Sequence, residues 1–492
     1  MTSTANNPNN LRLTILFQMF TRLLTFAMNN LITRYTSASQ LGLISVKLDL
    51  LGNTILALAR DGVRLAVLRV KGGSSWITVP LTVVIGAICT GITLKYTTEP
   101  ALLPFTSQYR QAALSYYFAV ILESLTESST IDLIMKQEMK KKVMIESMAL
   151  IFRIATVLGV IFGEGGGREG EVEIDVLMRA FSKGQVVYAI SLNLFHFLFN
   201  KSIELPAILP SKEFMTLAWS LTRQTFFKYF LSQGDMFIIG YFSANLRDQG
   251  VYTVVSNYGS LVLRILMQPI EEASLQYFSR ETNDKDMIIY FNFMLKTMTY
   301  LGLIFVCYAS FFTDPVISIL LGNKWTIERT ASNALSAYCY LVAGAGVSGF
   351  IESLVHVIID EKWMSWQRRV SIISSLIYCG FAVTMIKIKG SVGLILAGFI
   401  NFMVRFLTNA FIIQKYSEKR KLDIWQDSGR ISKCLVAVFI CVYVINGGMF
   451  LLYRDEWILR VSVGVGLLAV NGSVLLKKDK KFVDKFISHW IK

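Results

Sequence analysis

Long apolar runs, separated by short polar stretches, recur from one end of the chain to the other. The runs can be bracketed at residues 11–33, 41–58, 76–94, 112–130, 144–163, 184–204, 219–243, 250–269, 288–312, 333–358, 370–388, 391–414, 431–452 and 457–476. Most are close to the roughly 20 residues that a helix needs to cross a bilayer. The ten-residue alternation typical of a membrane β-barrel is not visible in the sequence. The pattern therefore predicts an all-α polytopic membrane protein with about 14 transmembrane helices.

The eighth run has the clearest signature of a functional helix. Asp248 precedes it as a helix-capping residue, and Pro269 closes it, where a helix is expected to end or kink. Asn257 and Arg264 interrupt the run from within. A charged side chain inside a span costs roughly 2.5–3.5 kcal/mol on insertion scales, so it normally faces a protein interior or a water-filled cavity. We therefore expect the polar face of this helix to line a cavity.

Composition agrees with a membrane protein and narrows the functional classes. The chain has 492 residues, of which 53% are hydrophobic and 17% are charged, against about 25% charged in soluble domains. The net charge is +15, but it lies in short loops and in the C-terminal tail, so we expect no nucleic-acid partner. The six cysteines lack metal-type spacing, and no nucleophile motif or phosphate-binding loop occurs. We expect no metal, no cofactor and no enzymatic activity.

Loop charge predicts the orientation of the chain in the membrane. If both termini are cytosolic, the cytosolic loops carry more than twice as many basic residues as the opposite loops. The acidic loop at 164–171 then lies on the non-cytosolic side, and the glycosylation sequon at Asn200 lies on the cytosolic side. The charge bias therefore predicts an even number of spans with both termini in the cytosol.

A faint internal repeat suggests how the helices are grouped. The stretch Leu41–Val46 resembles Gln249–Val254 at an offset of 208 residues. Together with the predicted spans, this suggests an N-terminal lobe at 1–210, a C-terminal lobe at 211–420, and two further helices with a basic tail at 421–492. Transporters built from repeats bind substrate where the halves meet, so we expect a central cavity.

Polar side chains inside the predicted spans are the candidates for lining that cavity. Arginine suits a phosphate or acidic ligand because its guanidinium binds two oxygens at once. The alternatives are a structural ion pair for the arginine of the first span, with Asp49 or Glu123, and a solvated cluster for the arginines that end the second span. The two glutamates of the fourth span could also form a cation or proton site. The candidate cavity residues are Arg22, Asn29, Arg34, Arg60, Arg64, Glu123, Glu127, Asn257, Arg264, Asn401 and Arg405.

Several of these motifs resemble the Rft family, the endoplasmic-reticulum oligosaccharide translocation proteins within the multidrug/oligosaccharidyl-lipid/polysaccharide exporter superfamily. The similarity covers nearly the whole chain in order, and its most specific block is Asp248–Glu272. Ser128 and Asp61 depart from the family pattern, which usually has Pro and Glu there. Further matching positions are Arg22–Phe26, Asn29, Arg34, Arg60, Arg64, Glu123, Glu127, Glu146, Ser147, Gly259–Leu261, Gly390–Gly393, Asn401 and Arg405.

The resemblance implies a two-lobed fold of fourteen helices in the endoplasmic-reticulum membrane. It also implies movement, or help in the movement, of dolichol-diphosphate-linked oligosaccharide to the lumenal leaflet for N-glycosylation. The partners to expect are this lipid, the bilayer and membrane proteins of the glycosylation pathway. Two alternatives stay open: a scaffold that does not transport, and a cation-coupled exporter of small molecules that uses Glu123, Glu127 and Asp235.

A gate is expected at the cytosolic side. Glu271 and Glu272 follow Pro269, and Arg60 and Arg64 lie at the equivalent end of the second span. Opposite charges there would close the cavity by ion pairing and would open it when a diphosphate competes for the arginines.

Overall fold

The fold is given by a computed structural model. It describes residues 30, 32–70, 74–96, 106–136, 138–164, 172–200, 211–243, 245–281, 283–326, 329–420, 433–453, 456–478 and 480. Within these residues the regular structure is entirely helical, with no β-strand. Eight of the described helices are long and apolar enough to cross a membrane. The predicted class of all-α membrane protein is confirmed.

Two compact units make up the chain, Met1–Gly250 and Val251–Lys492. The first unit contains the helices α1 (Ala38–Arg69), α2 (Thr78–Tyr96), α3 (Thr106–Ser124), α4 (Glu127–Met135), α5 (Met139–Glu164), α6 (Ile174–Phe199) and α7 (Lys212–Phe242). Helix α7 therefore falls in the first unit, whereas the predicted lobes divide at residue 210. The lobe boundaries stay a prediction.

Helix α8 (Leu246–Val262) leads from the first unit into the second. The second unit continues with α9 (Gln268–Arg280), α10 (Asp284–Cys307), α11 (Thr313–Leu321), α12 (Thr330–Ile358), α13 (Glu361–Arg420), α14 (Lys433–Leu452) and α15 (Trp457–Lys478). Helix α13 is sharply kinked at Gly390, whose φ of 57° favours glycine, so it supplies two of the predicted spans.

Helical structure covers most of each predicted span from the second to the fourteenth. The first span lies almost wholly outside the described residues, and the count of fourteen stays a prediction. The sixth span differs most from its bracket, because its helix begins at Ile174 rather than at residue 184. Its first turns carry Asp175, Arg179 and Lys183, and hydropathy alone does not recognise such polar turns as helix.

Pro269 does not end the helical stretch, whereas the sequence predicted that a helix ends or kinks there. The five residues Leu263–Met267 form a π-helical turn. Helix α9 begins directly after this turn, and Pro269 lies in the first turn of α9. Proline lacks the N–H that an α-helix uses and is tolerated in a first turn. The wider π-turn therefore lets the chain continue helically from Leu246 to Arg280.

Small residues set the closest helix contacts of the first unit. A Cβ on Gly62 of α1 would collide with the backbone and hydroxyl of Thr222 in α7. The repeat-equivalent glycines Gly42 and Gly250 meet each other, and a Cβ on Gly250 would collide with the carbonyl of Ala38. Such close backbone approach is common between membrane helices that pack through small residues. The repeat thus marks a real packing point inside the first unit.

Aromatic packing forms much of the core of the second unit. Phe291 of α10 stacks on Phe350 of α12 with ring centroids 5.5 Å apart, and Phe278 of α9 lies 6.2 Å from Phe350. All three are almost fully buried. They hold α9 and α10 against α12, the helix that carries Glu352 and His356.

Candidate functional site

Two arginines and two glutamates that the sequence suggested separately form one cluster in the first unit. Arg60 and Arg64 project from the last turns of α1, Glu123 lies near the end of α3, and Glu127 begins α4. Arg64 donates from Nε and from its terminal nitrogen to the two oxygens of Glu127, at 2.5 and 2.7 Å. Arg60 lies 3.3 Å from Glu123 and 3.9 Å from Glu127.

The carboxylates of this cluster are buried, so each depends on the arginines for charge compensation. The Glu127 side chain is only 3% exposed and that of Glu123 is 11% exposed, whereas the arginines are exposed by 26% and 22%. A buried carboxylate depends on its cation, because removing either partner leaves an uncompensated charge. The alternative of a solvated cluster therefore does not describe these arginines, whose head groups are held by carboxylates.

A second ion pair in the first unit was not singled out from the sequence. Arg153 of α5 lies 2.9 Å from Asp49 of α1, and the hydroxyl of Tyr116 donates to the same carboxylate oxygen at 3.0 Å. Asp49 and Arg153 each interrupt an apolar run of the sequence. Opposite charges inside two spans are the signal from which this pair could have been predicted. Asp49 was considered instead as a partner for Arg22, which lies outside the described residues, as does Asn29.

The second unit holds a polar cluster between α12 and α13. Arg405 lies 2.5 Å from Glu352, and His356 lies 3.7 Å from the other oxygen of Glu352. Nearby, Gln367 donates to Asn409 at 2.8 Å. Glu352, Arg405, Gln367 and Asn409 line a cavity of about 10 Å³, close to the smallest volume that holds one water. Arg405 was expected as a cavity residue, but the sequence did not identify Glu352 as its carboxylate partner.

Asn401 occupies a special position on the same stretch of α13. It lies one helical turn before Arg405, and its side-chain oxygen is buried without a hydrogen-bond partner among the described residues. A buried unsatisfied acceptor costs about 1–3 kcal/mol. This is a position where water or a ligand hydroxyl could supply the missing donor.

Arg264 has a different environment from the other arginines. It lies on the π-helical turn, is exposed, and donates to the hydroxyl of Ser260 at 2.5 Å and to the Ser260 carbonyl at 3.3 Å. Asn257 is also exposed and lies seven residues earlier, hence on the same helix face. The expected polar face of α8 is therefore present and accessible, with Arg264 held by its own helix.

The expected gate residues occupy two different settings at the start of α9. The carboxylate of Glu271 lies directly against Gly349 of α12, one turn before Glu352, where a Cβ would collide with it. Glu272 is exposed and accepts a hydrogen bond from Gln268 at 2.8 Å. Arg34, which follows the first predicted span and was expected to line the cavity, is exposed. The ion-paired gate stays a prediction.

Taken together, these side chains place guanidinium, carboxylate and amide groups within an apolar scaffold. The described residues contain no group of three or more metal-ligating side chains. The arginines at 60, 64 and 405 have carboxylate partners, whereas Arg264 and Asn257 form an exposed polar stripe on one helix. Of the described candidates, the stripe is therefore best suited to meet an anionic ligand.

Comparison with known proteins gives a consistent result over nearly the whole chain. The family model Rft-1, described as Rft protein, matches residues 7–489. The Man(5)GlcNAc(2)-PP-dolichol translocation protein RFT1 of Mus musculus is 26% identical, covering 95% of this chain and 93% of the relative. The protein of that name from Xenopus tropicalis is 26% identical over 82% of this chain and 81% of the relative. That from Saccharomyces cerevisiae is 23% identical, covering 96% and 93%.

A solved structure shares the fold. The lipid II flippase MurJ in an inward closed conformation matches with a TM-score of 0.62 and 15% sequence identity. The match covers 95% of this chain and 99% of that one.

Proposed function

This chain belongs to the Rft family, and we propose that it moves, or helps to move, dolichol-diphosphate-linked oligosaccharide from the cytosolic to the lumenal leaflet of the endoplasmic-reticulum membrane. The observation that carries the proposal is the family match over residues 7–489. Relatives of similar length are named for translocation of a dolichol-diphosphate oligosaccharide, and their similarity extends over most of both chains. The fold shared with a lipid flippase supports a transport architecture.

The proposed ligand has three chemically different parts, and the polar side chains fit two of them. A diphosphate needs cations, and Arg264 offers an exposed guanidinium that has no carboxylate to displace among its described contacts. A sugar head group needs amides and hydroxyls, and Asn257 and Asn401 offer amides. The polyprenyl tail would stay in the bilayer. In this proposal Arg264 contacts the diphosphate, and the paired arginines of the first unit shape the scaffold.

The finer architecture belongs to the same proposal. We infer fourteen helices in two six-helix lobes, at 1–210 and 211–420, followed by two helices and a basic tail at 421–492, with both termini cytosolic. Repeat-built transporters of this kind expose a central site to one side at a time. Engineered glycosylation sequons test the orientation: one in the 164–175 loop is expected to be modified. Absence of modification there, with modification of a sequon in the C-terminal tail, would overturn the topology.

Native Asn200 is a poor reporter of that orientation. Its side-chain amide is buried and donates to Ser129 at 2.9 Å and to Asp132 at 3.2 Å. Glycosylation would have to break these bonds whatever side the residue is on. The engineered sequons therefore have to be placed in loops.

Leaflet transfer by the purified protein is the direct test of the function. The full chain is reconstituted into vesicles with a labelled dolichol-diphosphate oligosaccharide, and loss of label from the outer leaflet is followed with a membrane-impermeant enzyme. Transport predicts transfer that exceeds protein-free vesicles and that falls in Arg264→Ala but not in Arg280→Ala. Arg280 is a matched control because it is an exposed arginine at the end of the next helix. No transfer, combined with complementation of a deficient strain, would favour an assisting role instead.

A further inference from the structure

An amphipathic groove lies between the N-terminal halves of α3 and α6 and takes no part in the proposed function. Its volume is about 350 Å³, within the range of roughly 300–1,000 Å³ that is usual for ligand pockets. The two helices run in parallel, because Asn193 near the end of α6 donates to the carbonyl of Leu122 near the end of α3, at 2.8 Å. Both helices therefore begin at the same end of the groove.

The groove changes from polar to apolar along its length. Gln108 and Gln111 of α3 and Arg179 of α6 line the end where the helices begin, whereas Val186 and Val187 line the deeper end. In the predicted topology the deeper end lies within the sixth apolar run, which starts at residue 184, and the polar end lies at the lumenal surface. A ligand that fills this groove has a polar head and an apolar tail.

Charges at the polar end alternate in sign. Asp175 lies 2.9 Å from Arg179, and Glu164 lies 3.0 Å from Lys183 and 3.5 Å from Arg179. The two cations could bind a phosphate, and Asp175, the carboxylate that lines the groove, could bind an ammonium. Glu164 of α5 contacts the two cations from outside the lining. A purely anionic head group would compete with both carboxylates for the two cations and would leave the carboxylates without a replacement partner. A neutral sugar would make no use of either kind of charge.

The lining also discriminates between ammonium groups. Among the described residues the lining contains no aromatic side chain, and quaternary ammonium groups are typically recognised by aromatic cages. A primary ammonium, by contrast, carries N–H donors that suit carboxylates and glutamine carbonyls. The groove therefore favours a head group of the ethanolamine type over one of the choline type.

We propose that this groove is a binding site for a bilayer phospholipid whose head group carries a phosphate and a primary ammonium. The phosphate accepts hydrogen bonds from Arg179 and Lys183, and the ammonium donates to Asp175 and to the glutamine carbonyls of the lining. One acyl chain follows Val186 and Val187 into the membrane. The lipid would take part in the ion pairs that Arg179 and Lys183 of α6 make with Asp175 and with Glu164 of α5, beside the N-terminal half of α3.

Native mass spectrometry of the purified full chain tests this assignment. The protein is incubated with equal amounts of phosphatidylethanolamine, phosphatidylcholine and phosphatidylglycerol that carry the same acyl chains, and the retained lipids are counted. The expected result is preferential retention of phosphatidylethanolamine. The double variant Arg179→Gln, Lys183→Gln is expected to lower its retention relative to phosphatidylcholine about fivefold, as loss of roughly 1 kcal/mol would.

A matched control separates the groove from general surface charge. Arg110 lies on α3 between Gln108 and Gln111 but does not line the groove, so Arg110→Gln is expected to leave the lipid ratio unchanged. Val187→Phe, which fills the apolar end without altering charge, is expected to reduce retention as well. It serves as the second variant if the double variant does not fold.

Three outcomes would overturn the proposal. The first is equal retention by the wild-type protein and by correctly folded groove variants. The second is a preference for phosphatidylglycerol, which would show that the carboxylates do not select an ammonium. The third is full displacement of the retained lipid by millimolar inorganic phosphate, which would reduce the site to phosphate recognition alone.

Discussion

The end of α1 and the π-helical turn after α8 carry arginines in opposite electrostatic settings. In the first unit, Arg60 and Arg64 meet two glutamates, one of them only 3% exposed. In the second unit, Arg264 is exposed and is held by Ser260 of its own helix. Arginine inside an apolar run is thus compatible with two roles. Where buried carboxylates surround it, its charge stabilises the fold, and where only a hydroxyl and a carbonyl hold it, its charge is available to a ligand.

The largest effect is expected from removing the buried carboxylate of the first cluster. Glu127→Ala would leave both Arg60 and Arg64 without their shared partner, which typically costs about 3–5 kcal/mol of the free energy of unfolding. Thermal unfolding of the purified protein in detergent measures this, with Lys136→Ala, which loses an exposed ion pair, as the control. If the Glu127→Ala protein were as stable as the control variant, the ion pairs of Arg60 and Arg64 would not stabilise the fold.

An intermediate effect is expected in the polar cluster of the second unit. Glu352→Gln would weaken the contact with Arg405, and because these side chains are 21% and 39% exposed, we expect a loss of about 1–3 kcal/mol. The double variant Glu352→Gln, Arg405→Gln is expected to recover part of that loss, since no charge is then left alone. Full additivity of the two single changes in a double-mutant cycle would show that the pair is not coupled.

Arg264→Ala is expected to separate function from stability. An exposed side chain usually changes the free energy of unfolding by no more than about 0.5 kcal/mol, so the variant should accumulate and unfold normally. Transport, or complementation at matched protein level, is nevertheless expected to be strongly reduced, and Arg264→Lys is expected to restore part of it. If the alanine variant instead failed to accumulate, Arg264 would be a structural residue like Arg64.

The smallest effect is expected from the residue that positions Arg264. Ser260→Ala removes the hydroxyl that accepts from the guanidinium but leaves the carbonyl contact, so stability should change by less than about 1 kcal/mol. The head group of Arg264 would then sample more orientations, and transport is expected to fall moderately, with Ser260→Thr closer to the wild type. A Ser260→Ala variant with unchanged transport would show that this hydrogen bond does not orient the arginine.

Much of the fold could be predicted from the sequence because a bilayer imposes a simple rule on each span. Apolar length alone located helices for the predicted spans from the second to the fourteenth, and the block from Asp248 to Glu272 marked the family. Predictions failed where the local signal was ambiguous. Ile174 begins a helix among charged residues, and the helix passes Pro269 because a π-turn precedes it.

The sequence by itself determined which charges had to lie within or beside a membrane, since each interrupts an apolar run at an energetic cost. Only the tertiary structure decided which of those charges meet. Arg64 and Glu127 are 63 residues apart, Asp49 and Arg153 are 104 apart, and Glu352 and Arg405 are 53 apart. Spacing along one helix cannot predict such pairs, because they depend on which helix faces pack together. The same packing leaves Arg264 exposed, so tertiary contacts separate the arginine suited to a ligand from those that hold the scaffold.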